Sequence, residues 1–293
     1  MGLHSRHLYC PALFFVAVQI QNVFARHHGR GRGLENNLRG ASGPLKMSLP
    51  PWLNFRHSSW PAVIIGNTGA LDNPSDNITQ WYGQGGEDKY AYQTFFFGKR
   101  GGSYLELGAL NGVRFSNTKT YHDNLDWRGL LIEASPTEFH DLVANRPGDL
   151  CVQSAICETP QRVHFINNTE PAVSGIWEFM APSFKQEWYP RITDPSSLPE
   201  VGCEPLGSIL NQFGIRHIDF FSLDVEGGEL AVLRSVDWDA TTFSVIVVEA
   251  DRHNEAKNQS VRDFMVQKGY SFHGHVGDND WFVFVDFQPS FSQ

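Results

Sequence analysis

Between residues 103 and 285 short apolar runs alternate with amphipathic segments, and an acid closes run after run. Tyr104–Leu107, Gly129–Ile132, Cys151–Ile156, Ile218–Leu223 and Ser244–Val248 read as strands, with Arg162–Ile166 beside the third. Helical segments separate them. Ser116 can cap a helix running to about Leu125. Ser135, Pro136 and Glu138 form a capping box ahead of the stripe Phe139, Leu142 and Val143. Leu206, Ile209, Leu210 and Phe213 share a helix face that Gly214 ends. Further helices are expected at Glu229–Ser235 and Ser260–Lys268, then an antiparallel pair at Tyr270–His273 and Trp281–Val285. Such alternation demands an α/β fold, a mostly parallel sheet with helices on both faces. Ligands of these sheets bind beyond the carboxyl ends of the strands. Glu106, Glu133, Asp224 and Glu249 therefore belong to one rim.

The turn after the first of these strands, Gly108-Ala-Leu-Asn-Gly112, can approach a ligand without Cβ obstruction. A plain strand-to-helix turn would look the same, because G-x-x-x-G is common. Glu133 sharpens the reading: it follows Gly112 by 21 residues and ends the next strand, where a carboxylate can accept both hydroxyls of a ribose. A dinucleotide site would carry glycine where Leu110 stands, and no phosphate-binding lysine motif is present. These two absences weigh against a nucleotide-sugar or NAD enzyme and favour a nucleoside cofactor without phosphate. The formal charge of −9, with no dense Lys/Arg stripe in the body of the chain, weighs against nucleic acid as the main partner.

The amino end has a different character. Residues 1–34 contain Arg6, Arg26, Arg30 and Arg32 and no Asp, Glu or Lys, around an apolar run from Leu8 to Ala25. Residues 1–25 read as a signal peptide ending at Val23-Phe24-Ala25, or as a signal anchor. An Arg-rich organellar transit peptide is the alternative. Residues 26–76 read as a low-complexity linker or stalk, and 77–293 as the folded domain. The expected location is the secretory pathway, with a membrane as partner only if the first segment is kept as an anchor. Acceptor sequons at Asn77, Asn167 and Asn258 agree with a glycoprotein. Of four cysteines, Cys10 lies in the first segment; Cys157 and Cys203 could pair and leave Cys151 free, or all three could be small buried hydrophobes.

YGQGGEDKY, GGSYLELGALNGVRFSNT, GLLIEASP, NRPGD, IDFFSLDVEGGEL and VVEA follow one another in this order. From about Gln80 to Val285 the chain thereby resembles the FkbM-type family of S-adenosylmethionine-dependent methyltransferases. Two departures are small: Asn111 often corresponds to Asp, and Gly228 to Ala. The resemblance implies the class I methyltransferase Rossmann-like fold, a mostly parallel seven-stranded sheet with one antiparallel strand. It implies that Glu106, Gly108, Ala109 and Gly112 surround the methionine part of S-adenosyl-L-methionine, that Glu133 holds the ribose, and that Ser154 and Ala155 flank the adenine. Asp224 would lie beside the sulfonium and the acceptor hydroxyl.

The reaction so implied is methyl transfer to a hydroxyl of a glycan or small metabolite. An alcohol attacks well only as its proton leaves, so a base is needed, and Asp224 and Glu226 can serve. Alternatively Asp224, Glu249 and Asp251, with His253, could hold a divalent cation such as Mg that acidifies the hydroxyl. Glu226 and Glu229 have a plainer reading as acids favoured at a helix start, and Asp251 and His253 as a solvated loop. Residues 167–205 suit an acceptor-binding lid, with Trp177, Trp188 and Tyr189 stacking on a sugar, or a satellite hydrophobic cluster. A rival from another class is a catalytically silent member that binds a partner or cargo in the secretory pathway.

Overall fold

A computed structural model describes residues 63–65, 78–250 and 252–290. The expected segments at 1–25 and most of 26–76, the sequon at Asn77, and Asp251 lie outside the described residues.

The main sheet grows from β2 (Ser103–Leu107) outward in both directions. On one side stand β3 (Arg128–Glu133) and β4 (Leu150–Gln153), on the other β9 (His217–Leu223) and β10 (Thr242–Glu249), all parallel. β12 (Asn279–Phe284) enters antiparallel to β10, and β11 (Tyr270–Val276) pairs with β12 at the edge. This is the seven-stranded class I order with one antiparallel strand. An eighth strand, β1 (Val63–Ile65), adds antiparallel to β4; it falls within the segment expected to be a linker.

Side chains alternate across the sheet as period-two geometry requires. Leu105, Leu130, Ile132 and Phe221 join the core beneath α5 (Leu206–Gln212), α6 (Glu229–Arg234) and α7 (Glu255–Gln267). Tyr104, Leu131 and Phe220 join the core of the other face, under α1 (Glu87–Thr94), α2 (Lys119–Asn124) and α3 (Pro136–Asn145). α3 starts as its capping box predicts: the Ser135 side chain accepts from Glu138 N.

Several boundaries depart from expectation, and each departure has a local cause. The predicted strand Cys151–Ile156 breaks at Ser154, and β5 (Ala155–Ile156) leaves for a second sheet of order β5-β8-β6-β7. There β6 (Gln161–Ile166) pairs with β8 (Glu200–Glu204) and β7 (Gly175–Ile176), not beside the third strand of the main sheet. Cys157 and Cys203 form a disulfide across this small sheet, and Cys151 is a buried free thiol. The insert also carries a helix, α4 (Pro182–Trp188), in the stretch read as irregular. α2 begins at Lys119, not Ser116, because Glu106 holds residues 116–118 in a non-helical path. α7 begins earlier than Ser260, with Asn254 as its cap. Its first turns bury Lys257 and Asn258, which hides the stripe from a hydropathy reading. Burial of Asn258 inside a helix also removes that sequon as an accessible acceptor.

The chain reverses its build direction at β2, so the switch point lies between β2 and β9, where this fold places ligands. Gly108 decides the closeness there. It has φ 77°, and a Cβ on it would stand 1.8 Å from the Asp224 carbonyl oxygen. Gly108→Ala combines left-handed strain with a backbone clash, so we expect a loss of more than about 2 kcal/mol in urea unfolding, a size that backbone strain and overpacking each approach alone. Cys203→Ser opens a loop with a sequence separation of 46. A loss of roughly 3–4 kcal/mol is expected. Urea unfolding with and without reductant should show it: reductant should lower the wild type toward the variant and leave the variant unchanged.

Candidate active site

A cavity of about 350 Å³ opens between the carboxyl ends of the parallel strands and the insert's small sheet. That is within the range of small-molecule sites, roughly 300–1,000 Å³. Its floor includes Gly108, Leu110, Glu133, Ser154, Ala155 and Asp224; Phe165, Ile176 and Phe179 of the insert cover it. Glu106 and Glu226 also line it, whereas Ala109 and Gly112 do not. Ala109 packs in the core, and Gly112, at φ 75°, makes room for Arg146, whose Cγ would lie 2.6 Å from an added Cβ.

The bend is held from beneath by a buried polar network. Glu106 accepts from Ser116 Oγ (2.8 Å), Asn117 N (2.6 Å) and Thr118 Oγ1 (2.6 Å). Arg146 donates to the Gly112 carbonyl (3.2 Å), Ser116 Oγ (3.0 Å), Thr118 Oγ1 (2.8 Å) and Asp149 Oδ2 (3.0 Å). Its guanidinium lies over the Tyr104 ring, and Tyr104 Oη donates to Asp149. Burial raises the Glu106 pKa, and Arg146 and the hydroxyl donors pull it back. Both Glu106 oxygens are engaged inside the protein, which makes this acid an anchor of the loop. The NRPGD motif thus supplies Arg146 and Asp149 to the underside of the site.

Glu133 ties the rim to the bend. Its Oε2 accepts from Leu110 N (2.8 Å) and its Oε1 from Ser135 N (2.7 Å). Burial lifts its pKa to about 7, partly offset by these backbone donors. Ser154 follows β4 with its N–H on the Glu133 carbonyl (3.1 Å) and its hydroxyl donating to Ala155 O (2.6 Å). Backbone strain gathers at the same place. Leu110 (φ 46°), Phe115 (φ 58°) and Glu226 (φ 56°) are non-glycine residues in the left-handed region, and all three line the cavity.

At the β9 end Asp224, Glu226 and Glu249 bring one carboxylate oxygen each within 4.8 Å of one another. Asp224 opens onto the cavity while protein crowds its other sides. Burial and the charge of Glu229 raise its pKa to about 7, and a hydrogen bond with the Glu249 carboxyl works in the opposite direction. Glu249 is raised well above the ordinary range by burial and by Asp224. Two carboxyls in this relation share a proton. Glu229 is apart from them in role: it accepts from Gly227 N (3.0 Å) and pairs with buried Lys257 (2.7 Å), the helix-start acid of the plainer reading. Among the described residues the set that could hold a cation is thus Asp224, Glu226 and Glu249, while Asp251 lies outside the described residues. His253 meets Phe184 edge to face and lies 3.7 Å from Glu187.

Among the insert aromatics Tyr189 and Trp177 belong to a separate hydrophobic cluster with Ile166, Met180 and Phe184, and Trp188 is exposed. The cavity instead takes Phe115, Phe165 and Phe179. Phe165 and Phe179 sat in segments whose pairing is non-local, so spacing gave no sign of them. Gln84 and Asn117 also line the wall; the motifs YGQGGEDKY and FSNT contained them without saying which way they would face.

A family model described as the methyltransferase FkbM domain matches residues 106–272. No curated protein matches the chain. Among solved structures it is similar to a methyltransferase FkbM from Methylobacillus flagellatus, at 13% identity over 67% of this chain and 48% of that one, TM-score 0.39. It is similar to Aeropyrum pernix fibrillarin in complex with S-adenosyl-L-methionine, at 12% identity over 63% of this chain and 66% of that one, TM-score 0.35. A third is precorrin-6y C5,15-methyltransferase from Geobacter metallireducens, at 12% identity, 75% and 95% coverage, TM-score 0.34. The chain spans about half the length of the first of these structures. The family match starts at the acid that anchors the glycine bend and runs through more than half of the sequence into β11. On that extent the chain belongs to the methyltransferase FkbM family.

Proposed function

We propose that the protein is an S-adenosylmethionine-dependent methyltransferase that O-methylates a hydroxyl of a glycan or small metabolite. One observation carries this reading: among the described residues lining the cavity there are five acids, Glu106, Glu133, Glu138, Asp224 and Glu226, and no Lys, Arg or His. A dinucleotide or nucleotide sugar would bring phosphates into that field, and an opposite charge near each is what such ligands need. A cationic cofactor without phosphate is what an acidic cavity of this size fits.

Glu133 would receive the ribose hydroxyls, and Ser154 and Ala155, with Ile156 and Phe165 beside them, would enclose the adenine. Bound there, the cofactor would supply a methyl group on a positively charged sulfur. Asp224, at the switch point, takes the proton of the acceptor hydroxyl as its oxygen attacks, and passes it into the carboxyl pair with Glu249. Charge balances: the cavity loses a cation at sulfur and gains a proton on a carboxylate. A shared proton occupies the place a divalent cation would take among Asp224, Glu226 and Glu249, so we favour the base over the metal. The disulfide joining Cys157 to Cys203 supports a lumenal, oxidising location. Residues 77–293 would form the catalytic domain.

Isothermal titration with S-adenosylmethionine should give saturable binding that Glu133→Ala weakens at least about tenfold, the size of a lost hydrogen bond to a charged group. A wild type that binds none would support the silent, partner-binding rival. Given an acceptor, kcat should rise with pH through about 7, because Asp224 must be ionised to take a proton and its pKa is lifted to about 7. Asp224→Asn should lower kcat by roughly 10²–10⁴. Chelator should leave the wild-type rate unchanged; a rate lost to chelator and restored by Mg would replace the base with a metal.

A further inference from the structure

One polar atom of the cavity wall has no use within the protein. Asn117 lines the cavity, its Nδ2 donates to Ser222 Oγ (3.0 Å), and its Oδ1 is buried without a hydrogen-bond partner. The residue is fixed from both ends. Its backbone N–H is clamped by Glu106 (2.6 Å), and Ser222 sits buried in β9, paired with Glu106 across the sheet. This side chain is therefore held in one orientation, with one of its two N–H donors engaged and its acceptor free. A buried carbonyl oxygen so placed is stabilised by whatever brings it a donor.

Position says which donor. Glu133, Ser154 and Ala155 form the β3–β4 end of the cavity, whereas Asn117, Ser222, Gln84 and Asp224 gather at the end toward β9. A nucleoside seated on Glu133 extends its 5′ substituent toward the second end. The 5′ substituent of the proposed cofactor ends in an amino acid, whose ammonium has three N–H donors and no acceptor. A carboxylate partner would leave the Asn117 oxygen no better satisfied than it is, and a hydroxyl would bring one donor where the ammonium brings three.

We propose that Asn117 is a specificity-determining residue for the cofactor: its Oδ1 accepts from the α-ammonium of the methionine part, with Ser222 holding the carboxamide in place. The inference rests on the proposed cofactor, and it can fail while that reading survives. It concerns a residue and a subsite that the glycine bend and the rim acids do not account for. No charge is needed at this position. A neutral oxygen completes the ammonium's shell while the neighbouring acids supply the field.

Two probes separate the readings by titration calorimetry: S-adenosylhomocysteine, and 5′-methylthioadenosine, which keeps the nucleoside and sulfur and lacks the amino acid. The wild type should bind the first more tightly. Asn117→Ala should weaken S-adenosylhomocysteine about ten- to a hundredfold, the range for a lost hydrogen bond to a charged group, and leave methylthioadenosine unchanged. Retained methylthioadenosine affinity shows at the same time that the variant is folded. Ser222→Ala removes only the orienting contact and should give a smaller selective loss; it also stands in if Asn117→Ala does not fold. Equal weakening of both probes, or no change in their ratio, would overturn the role of Asn117. A wild type that binds neither probe would overturn the cofactor itself.

Discussion

Everything at the carboxyl edge of this sheet depends on one buried carboxylate. Glu106 takes two hydroxyl donors and one backbone donor from residues 116–118, and Arg146 stands 3.6 Å away. An ionised group in that position is stable only while these partners surround it; removing one partner of a buried pair costs about 3–5 kcal/mol. The partners are therefore as fixed as the acid. Because residues 116–118 lie in the loop between β2 and α2, fixing them fixes the path of the glycine bend. The bend in turn brings Gly108 against the Asp224 carbonyl and the Leu110 N–H onto Glu133. One chain of contacts thus sets the distance between the two ends of the cavity. Strain in Leu110 and Phe115 is tolerated because this network over-determines their positions.

Two residues that the resemblance assigns to the methionine part also support the site from within the protein. Gly112 makes room for Arg146, and Glu106, although it lines the cavity, spends both carboxylate oxygens on the loop. This has a consequence for variants of the family pattern. Asn111 accepts from Val113 N (3.1 Å) and Arg114 N (2.9 Å) as a turn-forming side chain, a task that Asp performs equally well. Its departure from the usual residue therefore leaves the cavity wall intact.

Period-two and period-3.6 patterns made the main sheet and most of its helices legible, because burial on both faces forces those patterns on the chain. The same patterns failed where polar residues are buried by pairing. The start of α7 is hidden because Lys257 meets Glu229 of α6, a contact no local window contains. The small sheet was missed for a related reason. Its strands are short, its pairing joins residues 155–156 to 203–204, and a disulfide substitutes for the apolar run that would have announced it. α1 buries only Asp88 and Ala91, so its stripe is too narrow to detect. The rim acids were legible as a set since strand ends in a parallel sheet share one edge. Which of them would be saturated, paired or open was not, because that is decided by loop donors and by Glu249 lying within reach of Asp224.

Charge gives these separate features one logic. Five acids line a space with no basic side chain among its described lining residues, and burial raises Glu106, Glu133 and Asp224 against ionisation. An empty cavity of this kind carries an electrostatic penalty that the nearest cations relieve only in part: Arg146 offsets Glu106 and Lys257 offsets Asp224, yet both carboxyls stay raised. A cationic ligand relieves it, and an anionic one makes it worse. On the proposed reading the site would be selective by sign before it is selective by shape. A reaction that removes the ligand's positive charge would restore the penalty unless a proton takes its place. On the proposed reading the Asp224–Glu249 pair, already raised toward protonation, would accept that proton, so the acidity that recruits a cation and the basicity that the chemistry needs would come from the same carboxylates.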